Sequence, residues 1–407
     1  MKRKKFVISA VLLALVVGSL GLVGAASAQA PTAYYVGFQI QNPSTTTDAT
    51  VIVEYYNQDG SGAPNADYVQ TITVPAGKSR TVITTLNSDL SSEILAPPAA
   101  IRGATSFAGS VIISSSEKVV AIANEAASVN NPYGSASYNG IPQEDASAVV
   151  YAPLITKIGQ PDTTVNIQNP NSAQVSVQIQ YTPGVYGKSF TESFTLPAKG
   201  SDIREVPSGA LDASGRFLGS AQVTATGGNV AAVVDEIYIA PGQARHNARQ
   251  SYNGFSGGAD KVVAPLIQKN DSGVWYTGLQ VMNLGPGSAT VRVSYSGIQG
   301  SGTSTKCTPT TAVSGLTEPD FTLAANGSAT ILTEFGGVLD SKALANVGCF
   351  RGAATVQVVS GTGKVAAIVS VAGENIPQLA VYRAFDPTKA TTKLSVPLIQ
   401  KYLGVAG

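Results

Sequence analysis

The chain has 407 residues, 43% of them hydrophobic and 13% charged, with 42 glycines and 22 prolines. That is too long for one ordinary domain, and the composition is that of a folded rather than a disordered chain. A formal net charge of +1 excludes a protein that works by electrostatic attraction to nucleic acid.

The chain opens with "MKRKKFVISAVLLALVVGSLGLVGAASAQA", a basic head, an apolar middle and small residues at Ala26 and Ala28 in the spacing that signal peptidase reads. Cleavage after Ala28 is expected, since a cut after Ala30 would leave rigid Pro31 beside it. The run from Phe6 to Gly24 could also span a bilayer if left uncleaved. Losing Lys2, Arg3, Lys4 and Lys5 takes the net charge from +1 to −3. No later apolar stretch reaches spanning length, so the mature chain is expected to be exported, with no membrane insertion.

Beyond the signal, one segment is written three times. Each copy begins with "GFQIQNP" (from Gly37), "TVNIQNP" (from Thr164) or "GLQVMNL" (from Gly278), and then runs into the alternating stretches "ATVIVEYY", "AQVSVQIQY" and "ATVRVSYS". Period-two alternation predicts half-buried strands. The turns "VPAGKS", "LPAKGS" and "LAANGS" come next, then hairpins opening at Phe107, Phe217 and Phe350. Tyr138, Tyr252 and Tyr382 come after the hairpins, and beyond each lies a strand containing Pro-Leu-Ile, at Pro153, Pro265 and Pro397. About seven short strands per copy and no amphipathic helix predict an all-β chain of three tandem antiparallel immunoglobulin-like β-sandwich domains after a signal peptide. The expected divisions are a signal peptide at 1–28, sandwiches at 29–157, 158–269 and 270–401, and a tail at 402–407, giving a rod of three beads.

The residues that could carry chemistry are few. His246, the single histidine, sits in a loop unique to the second copy and reads as solvated. "GFSGG" places Ser256 in a G-x-S-x-G pattern, but a nucleophile elbow needs a helix after the turn, and a strand comes next here. The carboxylates at Glu125, Glu144, Asp145, Asp235 and Glu236 lack calcium-loop spacing and read as solvated loop acids. No catalytic residue, metal site or cofactor is predicted. Trp275 and Tyr276 are candidate ligand-binding aromatics for a surface glycan, against packing as the ordinary role of strand rings. Cys307 and Cys349, in a chain bound for an oxidising space, are expected to form a disulfide contributing about 4 kcal/mol on the loop-entropy model.

Alignment puts a first-copy Pro-Leu-Ile strand near residue 24, inside the signal. Either each such strand closes the copy before it, giving self-contained beads with Ala33–Phe38 filling the first, or each opens the copy after it. The first is preferred because it needs no partner. On the second, Val396, Pro397, Leu398 and Ile399 form a strand-donor interface for the next molecule, with Leu398 and Ile399 buried, and the contact propagates head to tail.

The signal, the repeat and the strand pattern together make the chain resemble secreted bacterial proteins built from tandem immunoglobulin-like sandwiches. The resemblance implies non-enzymatic structural or adhesive work, secreted or at the cell surface. The implied partners are a second copy of the chain or a surface glycan or protein. An extracellular glycan- or protein-binding module using loop aromatics is the alternative.

Overall fold

The computed structural model describes residues 34–127, 135–159, 161–238, 248–300, 307–333, 339–373 and 379–392. The segment expected to be a signal, His246 and the Val396–Ile399 motif lie outside the described residues. Within them the chain is all-β apart from short helical turns, and no helix is long and apolar enough to cross a membrane.

Alternation does what the sequence demands of it. In the first copy the strands are β1 (Tyr34–Gln41), β2 (Ala49–Asn57), β3 (Val69–Val74), β4 (Ser79–Ile83), β5 (Ile94–Leu95), β6 (Gly109–Ser115), β7 (Val120–Ala127) and β8 (Ser135–Asn139). They form one sheet in the order β5-β4-β1-β7-β8 and another in the order β3-β2-β6. Ala49, Val51, Val53 and Tyr55 of β2 point inward and are buried, while Thr50 and Ile52 face out.

The second copy contains β9 (Val149–Lys157), β10 (Pro161–Gln168), β11 (Val175–Tyr186), β12 (Phe190–Leu196), β13 (Ser201–Glu205), β14 (Phe217–Thr226), β15 (Ala231–Tyr238) and β16 (Arg249–Asn253). They run β12-β11-β14-β9-β10-β15-β16, with β13 against β10, because the tight turn after Lys157 lets β9 pair briefly with β10. The third copy contains β17 (Lys261–Lys269), β18 (Trp275–Asn283), β19 (Ala289–Gly300), β20 (Thr311–Thr317), β21 (Phe321–Leu323), β22 (Ser328–Leu332), β23 (Cys349–Gly361), β24 (Val365–Gly373) and β25 (Leu379–Arg383). Its sheets are β17-β23-β19-β20, with β21 on β19, and β22-β18-β24-β25.

The recurrent sequence blocks have physical reasons. Asn42, Asn169 and Asn283, the asparagines of the opening motif, are fully buried. Each donates its amide to carbonyls of its own loop and of the strand that ends beside it. Asn169 reaches Ala173, Leu196 and Pro197 at 2.9, 3.2 and 2.7 Å, and Asn42 and Asn283 do the same on Val74 and on Leu323. A buried side chain with several donors ties two chain reversals together, and an apolar substitute would leave those carbonyls unpaired. The aromatic that ends each alternating run meets the phenylalanine that opens each hairpin edge-on, as Tyr55–Phe107, Tyr181–Phe217 and Tyr295–Phe350.

Three features correct the sequence reading. The strand β9 pairs with β14 and β10, and β17 with β23, so the Pro-Leu-Ile strands at Pro153 and Pro265 each open the copy after them, and the boundary expected at 157/158 falls inside the second copy's sheet. The segment expected to fill the first copy's gap is instead β1, held between β4 and β7 in the other sheet. The copies are also not separate beads. Met282, Leu284, Ala366 and Ile368 of the third copy pack into the apolar cluster of the second, because alternate residues of β18 and β24 face away from their own core.

Candidate assembly interface

The residues singled out by sequence are scattered. Cys307 and Cys349 are joined in a disulfide that ties the insertion after β19 to the start of β23, both cysteines buried. Trp275 opens β18 and packs against the third copy's core, and the neighbouring Tyr276 hydroxyl reaches Asn270 Oδ1 at 3.3 Å. Ser256 is exposed in the loop between β16 and β17, with no helix after it. Among the described residues no group of three or more His, Cys, Asp or Glu side chains could hold a metal ion.

The acids expected to be solvated divide. Glu144 and Asp145 are exposed, but Glu125, Asp235 and Glu236 are buried, because they lie on strands β7 and β15 rather than in loops and face a joint between copies. Arg249 of β16 bridges Glu125 of the first copy and Asp235 of the second, each at 2.6 Å. Asp235 also accepts from Asn166 at 2.6 Å and Ser251 at 2.5 Å. Beside it, Glu236 accepts from Thr156 and Gln250, both at 2.9 Å, and Gln250 continues to Ser370 of the third copy at 3.2 Å. Two carboxylates thus share one guanidinium in a dry joint. Burial, helped by the charge of Asp235 and opposed by Arg249, pushes the Glu125 carboxyl up to about 7.

A second joint is used twice in the same sense. Lys199 and Asn326 occupy equivalent turn positions with φ of 62° and 59°. The Lys199 carbonyl accepts from Ser110 of the first copy at 3.4 Å, and the Asn326 carbonyl accepts from Ser220 of the second at 2.8 Å. Ser110 and Ser220 hold the same place in the "F-x-G-S" opening of their hairpins. Each copy therefore sets its turn on the hairpin of the copy before it, with one repeated geometry.

Strand pairing then exposes what the first copy lacks. The strand β14 is held by β11 on one side and β9 on the other, and β23 by β19 and β17. Their counterpart β6 is paired with β2 alone among the described residues. Its inward residues Val111 and Ile113 are only half-buried, whereas Ala221, Val223, Ala354 and Val356 at the same places are at most 1% exposed. Among the described residues the first copy also shows no counterpart of a latch seen in the other two. In the second copy Tyr252 bonds to both main-chain groups of Leu154, and in the third Tyr382 does so on Leu266. Tyr138, their counterpart, has no such strand beside it among the described residues.

The fully buried inward residues of the strand in this slot are Ala152 and Ile155 in the second copy, and Ala264 and Ile267 in the third. Leu154 is half-buried and Leu266 is 39% exposed. The bulge at Pro-Leu leaves Leu154 and Leu266 less buried than their neighbours, and Leu398, expected to be buried, lies outside the described residues. No family model matches the chain, and no curated protein is similar to it.

Proposed function

We propose that the protein is a non-enzymatic, secreted or cell-surface structural or adhesive protein. Its tandem immunoglobulin-like β-sandwich modules join head to tail through a C-terminal strand. The observation that carries this reading is the edge of β6, paired with β2 alone among the described residues, set against the third Pro-Leu-Ile motif at Lys393–Lys401. An apolar strand edge left open is an aggregation hazard unless a specific strand covers it. Donor and acceptor lie on different surfaces, so repetition gives an open filament rather than a closed pair.

The test is electron microscopy and size-exclusion chromatography of the signal-free protein with and without residues 393–407. Filaments or oligomers that vanish with the tail support the reading, and monomers in both preparations refute it. The packing of Trp275 against the core argues for this reading over a glycan platform.

A further inference from the structure

The filled slots of the second and third copies specify how a strand would lie on β6. In both, the strand runs antiparallel in one register: Tyr151 faces Gln222 and Ala152 faces Ala221, as Val263 faces Thr355 and Ala264 faces Ala354. Both then bulge at Pro-Leu, so that Ile155 meets Gly219 and Ile267 meets Gly352. Carried onto the first copy by sequence correspondence, this register sets Ser395 against Ile112, Val396 against Val111 and Ile399 against Gly109.

The direction in which the chain leaves each copy says whose β6 is meant. Phe255 is bridged to Tyr151 by two main-chain bonds of 2.8 Å, and beyond it the chain enters the next copy's sheet at Lys261. Phe385 is bridged to Val263 by the same pair of bonds, and Lys393 comes at a similar distance along the chain. Because the turn-on-hairpin joint repeats in one sense from first to second to third copy, another step leads away from the chain's own first copy.

Exposure agrees at both ends of the series. Phe255 is 4% exposed beneath the Arg383 guanidinium of the next copy, while Phe385 is 56% exposed and lies beside exposed Pro265 and Leu266. Ala366 and Ile368, which cover the second copy, are at most 1% exposed, and their first-copy counterparts are Val120, 37% exposed, and half-buried Ile122. Among the described residues, the apolar positions buried between the second and third copies are thus more open on the outer face of the first copy and at Phe385 of the third.

We infer that Lys393–Lys401 of one chain completes the first copy of a second chain as an antiparallel strand on β6, with Leu394, Val396 and Ile399 facing its core and the Leu398 main chain under Tyr138. This assignment rests on the head-to-tail function and adds its acceptor and register. The seam differs from the internal joints at one point. Ala353 stands where Ser110 and Ser220 donate to the next turn, so the seam lacks that hydroxyl bond and depends on the strand and the apolar cover.

The test mixes two full-length, signal-free variants, Ser395→Cys and Ile112→Cys, and treats them with a short bis-maleimide. The expected result is covalent chain pairs in the mixture, little coupling in either variant alone, and none when Ile52→Cys, on the neighbouring strand β2, replaces Ile112→Cys. A peptide of residues 392–407 should cut coupling at least tenfold, and the same peptide carrying Ile399→Asp should not. A chain bearing both cysteines that closes on itself as a monomer at every concentration overturns the second-copy assignment. If deleting 393–407 abolishes assembly but position 112 never couples, the acceptor is wrong and the head-to-tail reading stands. If the protein is monomeric with and without its tail, that reading fails too.

Discussion

The hydroxyl of Tyr252 accepts a hydrogen bond from the Leu154 amide at 3.1 Å and donates one to the Leu154 carbonyl at 2.7 Å. One side chain from the end of β16 thereby pins the bulge of β9, where Pro153 interrupts the ladder and leaves main-chain groups that β14 cannot pair. Removing the oxygen leaves a buried amide and carbonyl unsatisfied. Tyr252→Phe is expected to cost about 1–3 kcal/mol. Tyr382→Phe should cost less, because Leu266 is exposed and water can replace the lost partner. Urea denaturation of the two variants checks the order; equal losses would show that the latch does not act through the buried main chain.

Glu125 gives the joint between the first and second copies a pH dependence. Its carboxyl sits at about 7 in the folded protein, raised by burial and by Asp235, against the ordinary 4.5. The folded state therefore holds this proton more tightly than the unfolded chain does. Stability is fully present below about pH 4.5 and falls as the pH rises toward 7, by about 3 kcal/mol if this group acts alone. Glu125→Gln should remove that slope and leave the protein more stable than the parent at pH 8. Denaturation curves at pH 5 and 8 measure it, and an unchanged slope in the variant would assign the dependence elsewhere.

Much of the fold was readable from the residues. Period-two alternation located β2, β11 and β19, and the recurring block around Asn42, Asn169 and Asn283 showed the repeat, but only the structure shows why the asparagine recurs. What sequence could not give was contact between copies. "NEAAS" and "DEIYI" look like ordinary hairpin ends, and only the placement of Arg249 between Glu125 and Asp235 shows that these acids are dry. Ownership of the Pro-Leu-Ile strand was likewise undecidable from one chain, since either neighbouring sheet accepts an apolar strand. The pairing of β9 with β14 decides it. Tyr138 could have pointed to the gap, since it is the counterpart of the two latch tyrosines and no strand lies beside it among the described residues.

The disulfide should matter locally. Cys307 and Cys349 are separated by 42 residues, and closing a loop of that length removes unfolded-state entropy worth about 4 kcal/mol. The pair fastens the insertion between β19 and β20 to the start of β23, within the third copy, whereas the Arg249 joint lies between the first and second. Substituting both cysteines by serine should lower the melting temperature of the third copy's transition and leave proteolytic protection of the first copy unchanged. Loss of structure throughout the chain would instead make the third copy the support for the other two.

Gly60 tests whether the turn-on-turn contact between the first and second copies is rigid. Its φ of 82° already favours glycine, and a Cβ there would lie 2.0 Å from the Ala198 carbonyl oxygen of the second copy. Nothing flexible can yield, because the obstacle is main chain at the turn whose next residue, Lys199, is itself in the left-handed region. Gly60→Ala is therefore expected to push the two turns apart, breaking the 3.0 Å bond from the Ser201 amide to the Gln58 carbonyl. Positive-φ strain alone costs about 1–2 kcal/mol and would act within the first copy. The joint adds a separate signature: faster amide exchange at Ser201, on the other side of the contact. If exchange at Ser201 matches the parent while the first copy is destabilised, the contact is slack and the effect is only local backbone strain.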